Sequence, residues 1–145
     1  MRSDILIFKP LVPEIPVFFR YLGHVPAGFP SPAADYTEEE IDLKNFLMPH
    51  PTSTFVMKIA GDSMIGANIL PNSYVVIDRS VKPVHQSIII AVVNGELTCK
   101  RLIRKGKQII LVPENPAYQP LTVTEAMDFV VWGVVTRLLI DATKI

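Results

Sequence analysis

The tightest constraint on this chain is the dipeptide Asn94-Gly95, set between two strand-like runs, Ser87 to Val93 and Glu96 to Arg104. A type I′ turn needs positive φ at both central residues, and Asn-Gly accepts this at the least cost. The spacing predicts an antiparallel hairpin with Lys100 in the middle of its second strand. Upstream, Phe55, Met57 and Ile59 alternate with Thr54, Val56 and Lys58, a period of two with one half-buried face. Tyr74 to Ile77 reads as a further strand, and Lys105-Gly106-Lys107 as a turn into Gln108 to Val112. Phe129 to Ile140 reads as a last strand or a pair bent around Gly133. The expected body is mostly β, a partly closed antiparallel sheet structure with short helices, no internal repeat and no long amphipathic helix.

The chain ahead of this body differs in composition. Thirteen prolines, about twice the usual share, concentrate before residue 52 and again between 113 and 120. Residues 1–27 read as a flexible arm whose apolar runs, Ile5 to Phe8 and Val17 to Leu22, can each add a strand to a sheet but are too short to fold alone. Residues 28–36 read as an extended connector, because each proline pushes its predecessor out of the helical region. Thr37 and Glu40 have the spacing of a capping box, while Asp42 offers a cap for a shorter turn through Leu43, Phe46 and Leu47. Either way the helix is short. The expected organisation is an arm over 1–27, a linker with a short helix over 28–52, and a β-rich domain over 53–145.

Charge and cysteine content narrow the function classes. Lys plus Arg number 14 and Asp plus Glu number 14, so no net field draws the chain onto nucleic acid or anionic lipid. Any DNA contact is then local or made through a partner, without direct sequence-specific binding. Cys99 is the only cysteine, which excludes an internal disulfide and a multi-cysteine metal site and fits a reducing compartment. Asp4, Lys9 and Glu14 interrupt the N-terminus and Pro10, Pro13 and Pro16 break any apolar helix there, so no export signal is expected. The longest apolar runs, Ile88 to Val93 and Phe129 to Ile140, fall far short of the ~20 residues of a membrane helix. The expectation is a cytoplasmic protein without membrane contact or cofactor.

The residues that carry chemistry are Ser63, in Gly61-Asp62-Ser63-Met64 at the end of a strand-like run, and Lys100. A serine hydroxyl is a poor nucleophile until a neighbouring base takes its proton. His24, His50 and His85 lie in proline-flanked or turn-like segments with no spacing that points to a triad. Lysine serves as base only when uncharged, so its pKa must fall from about 10.4 toward 7, a shift of ~3 units or ~4 kcal/mol. Burial on a strand is the means, with Thr98 and Leu102 on the same face as Lys100. The backbone amides of Ser63 and Met64 are candidates to hold an oxyanion. Asp62 reads as an N-cap of the turn carrying Ser63 rather than as an orienting group. The small-residue bond Ala27-Gly28 lies upstream in the proline-rich segment.

Each of these has an ordinary alternative. Gly-Asp-Ser at a strand end is commonly a plain turn, and a lysine in a strand is commonly solvated or a guard against edge pairing. Cys99 faces away from Lys100 and reads as a small core residue. Lys100, Arg101, Arg104, Lys105 and Lys107 read as the solvated face of a hairpin.

The pieces taken together resemble the LexA/UmuD family of self-cleaving Ser-Lys proteins. The similarity runs from about Ala27 to the C-terminus, through Ala27-Gly28-Phe29-Pro30-Ser31-Pro32-Ala33-Ala34-Asp35-Tyr36, Ile41-Asp42-Leu43 and Gly61-Asp62-Ser63-Met64-Ile65. It continues in Asn94-Gly95-Glu96-Leu97-Thr98-Cys99-Lys100-Arg101-Leu102 and Pro113-Glu114-Asn115-Pro116-Ala117-Tyr118. The resemblance implies Ser63 as nucleophile, Lys100 as general base, Ala27-Gly28 as the scissile bond, the family's mostly β peptidase fold and a homodimer. It also implies partners: a RecA filament on single-stranded DNA that promotes cleavage, and a UmuC-type Y-family DNA polymerase that the shortened product joins in error-prone translesion synthesis. Only 27 residues precede Gly28, too few for a DNA-reading module, so the polymerase-accessory branch is expected rather than the repressors. Pro71-Asn72-Ser73 stands where relatives tend to have Asp-Gly-Asp, and Gly66-Ala67-Asn68 replaces a more acidic stretch. The competing readings are a non-catalytic polymerase-binding dimer and a Ser-Lys peptidase acting on other proteins.

Overall fold

The structure is a computed structural model that describes residues 18–30 and 39–145. The Ile5 to Phe8 run, Thr37 and most of the 28–36 connector lie outside the described residues. The chain divides into two compact units at Pro49 and His50.

The smaller unit is a two-stranded antiparallel ribbon followed by one helical turn. β1 (Phe18–Tyr21) pairs with β2 (Glu39–Asp42) in a register that sets Arg20 opposite Glu40 and Phe19 opposite Ile41. The Val17 to Leu22 run thus does supply a strand. Its partner is a surprise, because Glu39-Glu40-Ile41-Asp42 has low intrinsic strand preference. Glu40 lies in this strand, so no capping box forms around it. Asp42 caps instead: its carboxylate accepts from the Asn45 amide at 3.3 Å and opens the five-residue helix α1 (Leu43–Leu47).

Among the described residues the larger unit holds seven antiparallel strands: β3 (Thr54–Lys58), β4 (Tyr74–Asp78), β5 (Ile88–Val93), β6 (Glu96–Lys105), β7 (Gln108–Val112), β8 (Leu121–Thr122) and β9 (Phe129–Leu139). Their order in the sheet is β3-β4-β9-β5-β6-β7-β8. The β5-β6 hairpin turns on Asn94 and Gly95, whose φ angles of 50° and 82° are the pair that the turn type requires. β6 joins β7 through Gly106 and Lys107, again with positive φ at the glycine.

β9 is one strand rather than a bent pair, and two bulges let it serve two neighbours. Ile90 faces Gly133 while Ala91 faces Val131, which leaves Trp132 as the extra residue. Val76 faces Arg137 while Ile77 faces Val135, which leaves Thr136 as the second. Gly133 sits where backbone and side chain meet closely, since a Cβ there would lie 2.5 Å from Ile77 Cγ2.

Two apolar clusters form the core. Met64, Ile69, Val75, Ile77, Ile90, Val92, Cys99 and Trp132 make one, with Phe55, Met57 and Ile59 of β3 packed against it. Ile89, Ala91, Leu102, Leu111 and Val134 make the other. β3 and β6 are separated by three strands in the sheet, yet their side chains share the first cluster. The sheet therefore curls, and that curl brings the β3-β4 connection over β6. Among the described residues no helix is long and apolar enough to cross a membrane.

Candidate active site

Ser63 lies on the irregular connection between β3 and β4. Gly61, with φ of +86°, turns the chain out of β3, and Met64 drives its side chain into the core at 2% exposure. A short 3-10 turn over Ile65–Ala67 follows, ended by Asn68 in the left-handed region. Anchored on one side by Met64, Ser63 is left half-buried at the cleft wall.

Lys100 reaches that wall from β6. In the β5-β6 ladder the residues facing β5 alternate, so the backbone groups of Cys99 point to the side where β7 would pair. β7 pairs with β6 only from Arg101 onward, so this stretch of β6 has an open edge. The Lys100 side chain bends over that edge. Its Nζ lies 3.0 Å from Ser63 Oγ, 3.0 Å from Thr98 Oγ1 and 3.0 Å from the Cys99 carbonyl oxygen. The cleft around the pair has a volume of about 330 Å³ and is walled by Met57, Ile59, Leu97 and Thr98 among others.

The electrostatics follow from this placement. Burial holds the Lys100 amine below its ordinary value of 10.5, partly offset by the neighbouring Cys99. Burial pushes the Cys99 thiol up to about 11, against the pull of the Lys100 charge, so Cys99 is a neutral core thiol at physiological pH. As an ammonium, Lys100 has three N–H donors for its three acceptors. As a neutral amine it has two donors and one lone pair. The Cys99 carbonyl can only accept and Thr98 Oγ1 can do so, so when these two take the N–H groups the lone pair faces Ser63 Oγ. The arrangement can carry a proton from the hydroxyl to the amine.

The sequence-predicted residues divide accordingly. Ser63 and Lys100 come together. Among the described residues the Ser63 and Met64 amides donate to no backbone carbonyl. Ala27 and Gly28 belong to the smaller unit, where they are solvent-exposed in a bend, and among the described residues no atom lies within 4 Å of the position a Cβ on Gly28 would take. Asp62 does not cap the turn. Its carboxylate accepts from the Tyr118 hydroxyl, while its backbone carbonyl accepts from Asn115 Nδ2 at 2.9 Å. Sequence reasoning did not find Thr98 as a partner of the amine; the signal was its place two residues before Lys100 on one strand face.

The histidines of this unit have ordinary work. His50 Nδ1 lies 2.6 Å from the buried Asp78 carboxylate, and His85 Nδ1 accepts from the Arg104 amide. Among the described residues no cluster of His, Cys, Asp and Glu is arranged to hold a metal ion.

Residues 20–136 match the Peptidase S24-like family. Protein SamA of Salmonella typhimurium is 46% identical over 114 residues, which cover 79% of each chain. Protein MucA of Escherichia coli is 36% identical over 124 residues, covering 83% of each. LexA repressor 2 of Pseudomonas syringae is 38% identical over 133 residues, 90% of this chain and 62% of the repressor.

Proposed function

The chain belongs to the Peptidase S24-like family, with UmuD-like proteins as relatives, and from that premise we propose that it is a self-cleaving Ser-Lys peptidase of the SOS response. Ser63 is the nucleophile, Lys100 the general base and Ala27-Gly28 the bond cut. The observation that carries this reading is the 3.0 Å approach of Lys100 Nζ to Ser63 Oγ in a cleft that lowers the amine's proton affinity.

In the proposed cycle the neutral amine takes the Ser63 proton as Oγ bonds to the Ala27 carbonyl carbon. The negative charge collects on the carbonyl oxygen, where the Ser63 and Met64 amides receive it. The ammonium then returns its proton to the departing Gly28 nitrogen, which leaves Ala27 as an ester on Ser63. Water, deprotonated by the same amine, hydrolyses the ester and restores the hydroxyl. The products are residues 1–27 with a free carboxylate and a chain that begins at Gly28.

The substrate is tethered, so its local concentration is in the ~mM range without a pocket for foreign peptides. Such proximity calls for restraint, and the fully satisfied ammonium form of Lys100 supplies it. We assign the stimulus to a RecA filament on single-stranded DNA, which favours the cleavable arrangement by binding it better. The shortened homodimer acts with a UmuC-type Y-family polymerase in translesion synthesis in the cytoplasm. These partner assignments rest on the resemblance to UmuD-like proteins.

The test is mass spectrometry of the purified chain across a pH series. A fragment beginning at Gly28 should accumulate faster as pH rises and vanish in Ser63→Ala and Lys100→Ala. Persistence of that fragment in both variants removes the assignment.

A further inference from the structure

The two candidate reacting groups are held in very different ways. Lys100 rides on β6, fixed by a ladder to β5. Ser63 rides on a connection with no regular ladder of its own, so its aim at Lys100 depends on what grips that connection. The grip comes from the loop over residues 113–118, which leaves the end of β7. Glu114 straddles the serine: its amide donates to the Ser63 carbonyl at 2.9 Å, and its carbonyl accepts from the Gly66 amide at 2.7 Å. Asn115 Nδ2 and the Tyr118 hydroxyl hold Asp62, one residue before the serine, by its carbonyl and its carboxylate.

The loop is itself anchored to β6 by the residue next to Lys100. Arg101 Nε donates to the Glu114 carboxylate, and Arg101 Nη1 donates to the Gln86 carbonyl at 2.7 Å. Adjacent positions of one strand thus carry the base and the anchor of the clamp that holds the nucleophile. The fit is close: a Cβ at Gly66 would lie 2.6 Å from the Glu114 carbonyl oxygen, which leaves glycine as the residue that allows the contact.

We propose that Arg101, Glu114, Asn115 and Tyr118 are positioning residues for self-cleavage, a clamp that fixes the Ser63 hydroxyl against Lys100. The proposal deepens the Ser-Lys reading and rests on it. Tyr118 is well exposed and among the described residues its hydroxyl bonds only to Asp62 of the turn, so Tyr118→Phe removes one strut without touching the core. Arg101→Gln releases Glu114 from β6.

The test is the pH profile of self-cleavage for the parent, Tyr118→Phe and Arg101→Gln, with the melting temperature of each. A loosened turn misplaces the hydroxyl and admits water around the amine. The plateau rate of both variants should fall about tenfold or more, and the midpoint should move up toward that of an ordinary lysine. Tyr118→Phe should melt with the parent. Parental rates and midpoints in both variants overturn the proposal. Should the parent itself yield no Gly28 fragment at any pH, the Ser-Lys reading fails, and the clamp is judged by NMR titration of the Lys100 side chain. An upward shift in the variants upholds it, and unchanged titration overturns it.

Discussion

Lys100 Nζ and Ser63 Oγ are 37 residues apart in the chain and 3.0 Å apart in the fold. Under the proposed mechanism the pair works only while the amine can lose a proton, and this gives a sharp chemical test. Lys100→Arg keeps a cation and donors at the position, but a guanidinium does not deprotonate in proteins. The variant should stay folded by circular dichroism and lose cleavage by about 10³-fold or more at every pH up to 11. Rescue at high pH would show that some other group is the base.

The same amine affects folding stability, and the sign can be worked out. Its folded pKa lies below the unfolded value, so between the two the unfolded chain binds more protons and stability rises with pH. Below that window the chain carries the full cost of a buried charge. Above 10.5 the cost is gone. Lys100→Met should therefore raise the urea midpoint relative to the parent at pH 7, and the gain should shrink as pH climbs toward 10.5 and level off above it. An advantage that stays constant with pH would point to packing rather than charge.

The Asp78 carboxyl is also held below its unfolded value, so its pH dependence runs the same way as that of Lys100, but at pH 7 it contributes stability instead of a cost. Burial pushes its carboxyl up, but the hydroxyl and amide of Ser80, the His50 ring and the Ser53 hydroxyl outweigh this and bring it from 3.8 down to about 2. Its contribution is present in full above pH 3.8 and is lost as pH falls toward 2. A shift of that size corresponds to about 2 kcal/mol. Asp78→Asn should lose roughly that much at pH 7, with the deficit narrowing in acid, as read by urea melts at pH 7 and pH 3.

How much of this was legible depended on how local each signal is. Asn94-Gly95 fixes its own hairpin, and the hairpin sets which strand face Lys100 occupies, so both could be read from neighbours in sequence. Asp62 was misassigned because the groups that claim its carboxylate and carbonyl, Tyr118 and Asn115, are 56 and 53 residues away. A local cap is the natural reading when such partners are invisible. β2 was missed for a related reason: Glu39-Glu40-Ile41-Asp42 has no strand pattern of its own and takes that form from β1, with Arg20 set opposite Glu40. The bulges of β9 leave a trace only at Gly133. A single glycine marks a close approach without saying whether the strand bends, ends or slips by a residue.

That glycine carries the last prediction. At Gly133 an added methyl would meet Ile77 Cγ2 at 2.5 Å and Arg79 Cγ at 3.3 Å. Arg79 has little freedom to retreat, because its guanidinium stacks 4.5 Å over Trp132 and its Nε donates to the Trp132 carbonyl at 2.8 Å. Ile77 is fully buried, so relief there must come from the core itself. Gly133→Ala should cost about 1–3 kcal/mol by overpacking, and Ile77→Ala about 2–5 kcal/mol by the cavity it leaves. In the double variant the new methyl enters the space that the isoleucine vacated. The cost of the double variant should fall short of the sum of the two single costs by about 0.5 kcal/mol or more, measured as urea unfolding free energies around the full cycle. Strict additivity would mean that the close approach at Ile77 is not what makes glycine necessary.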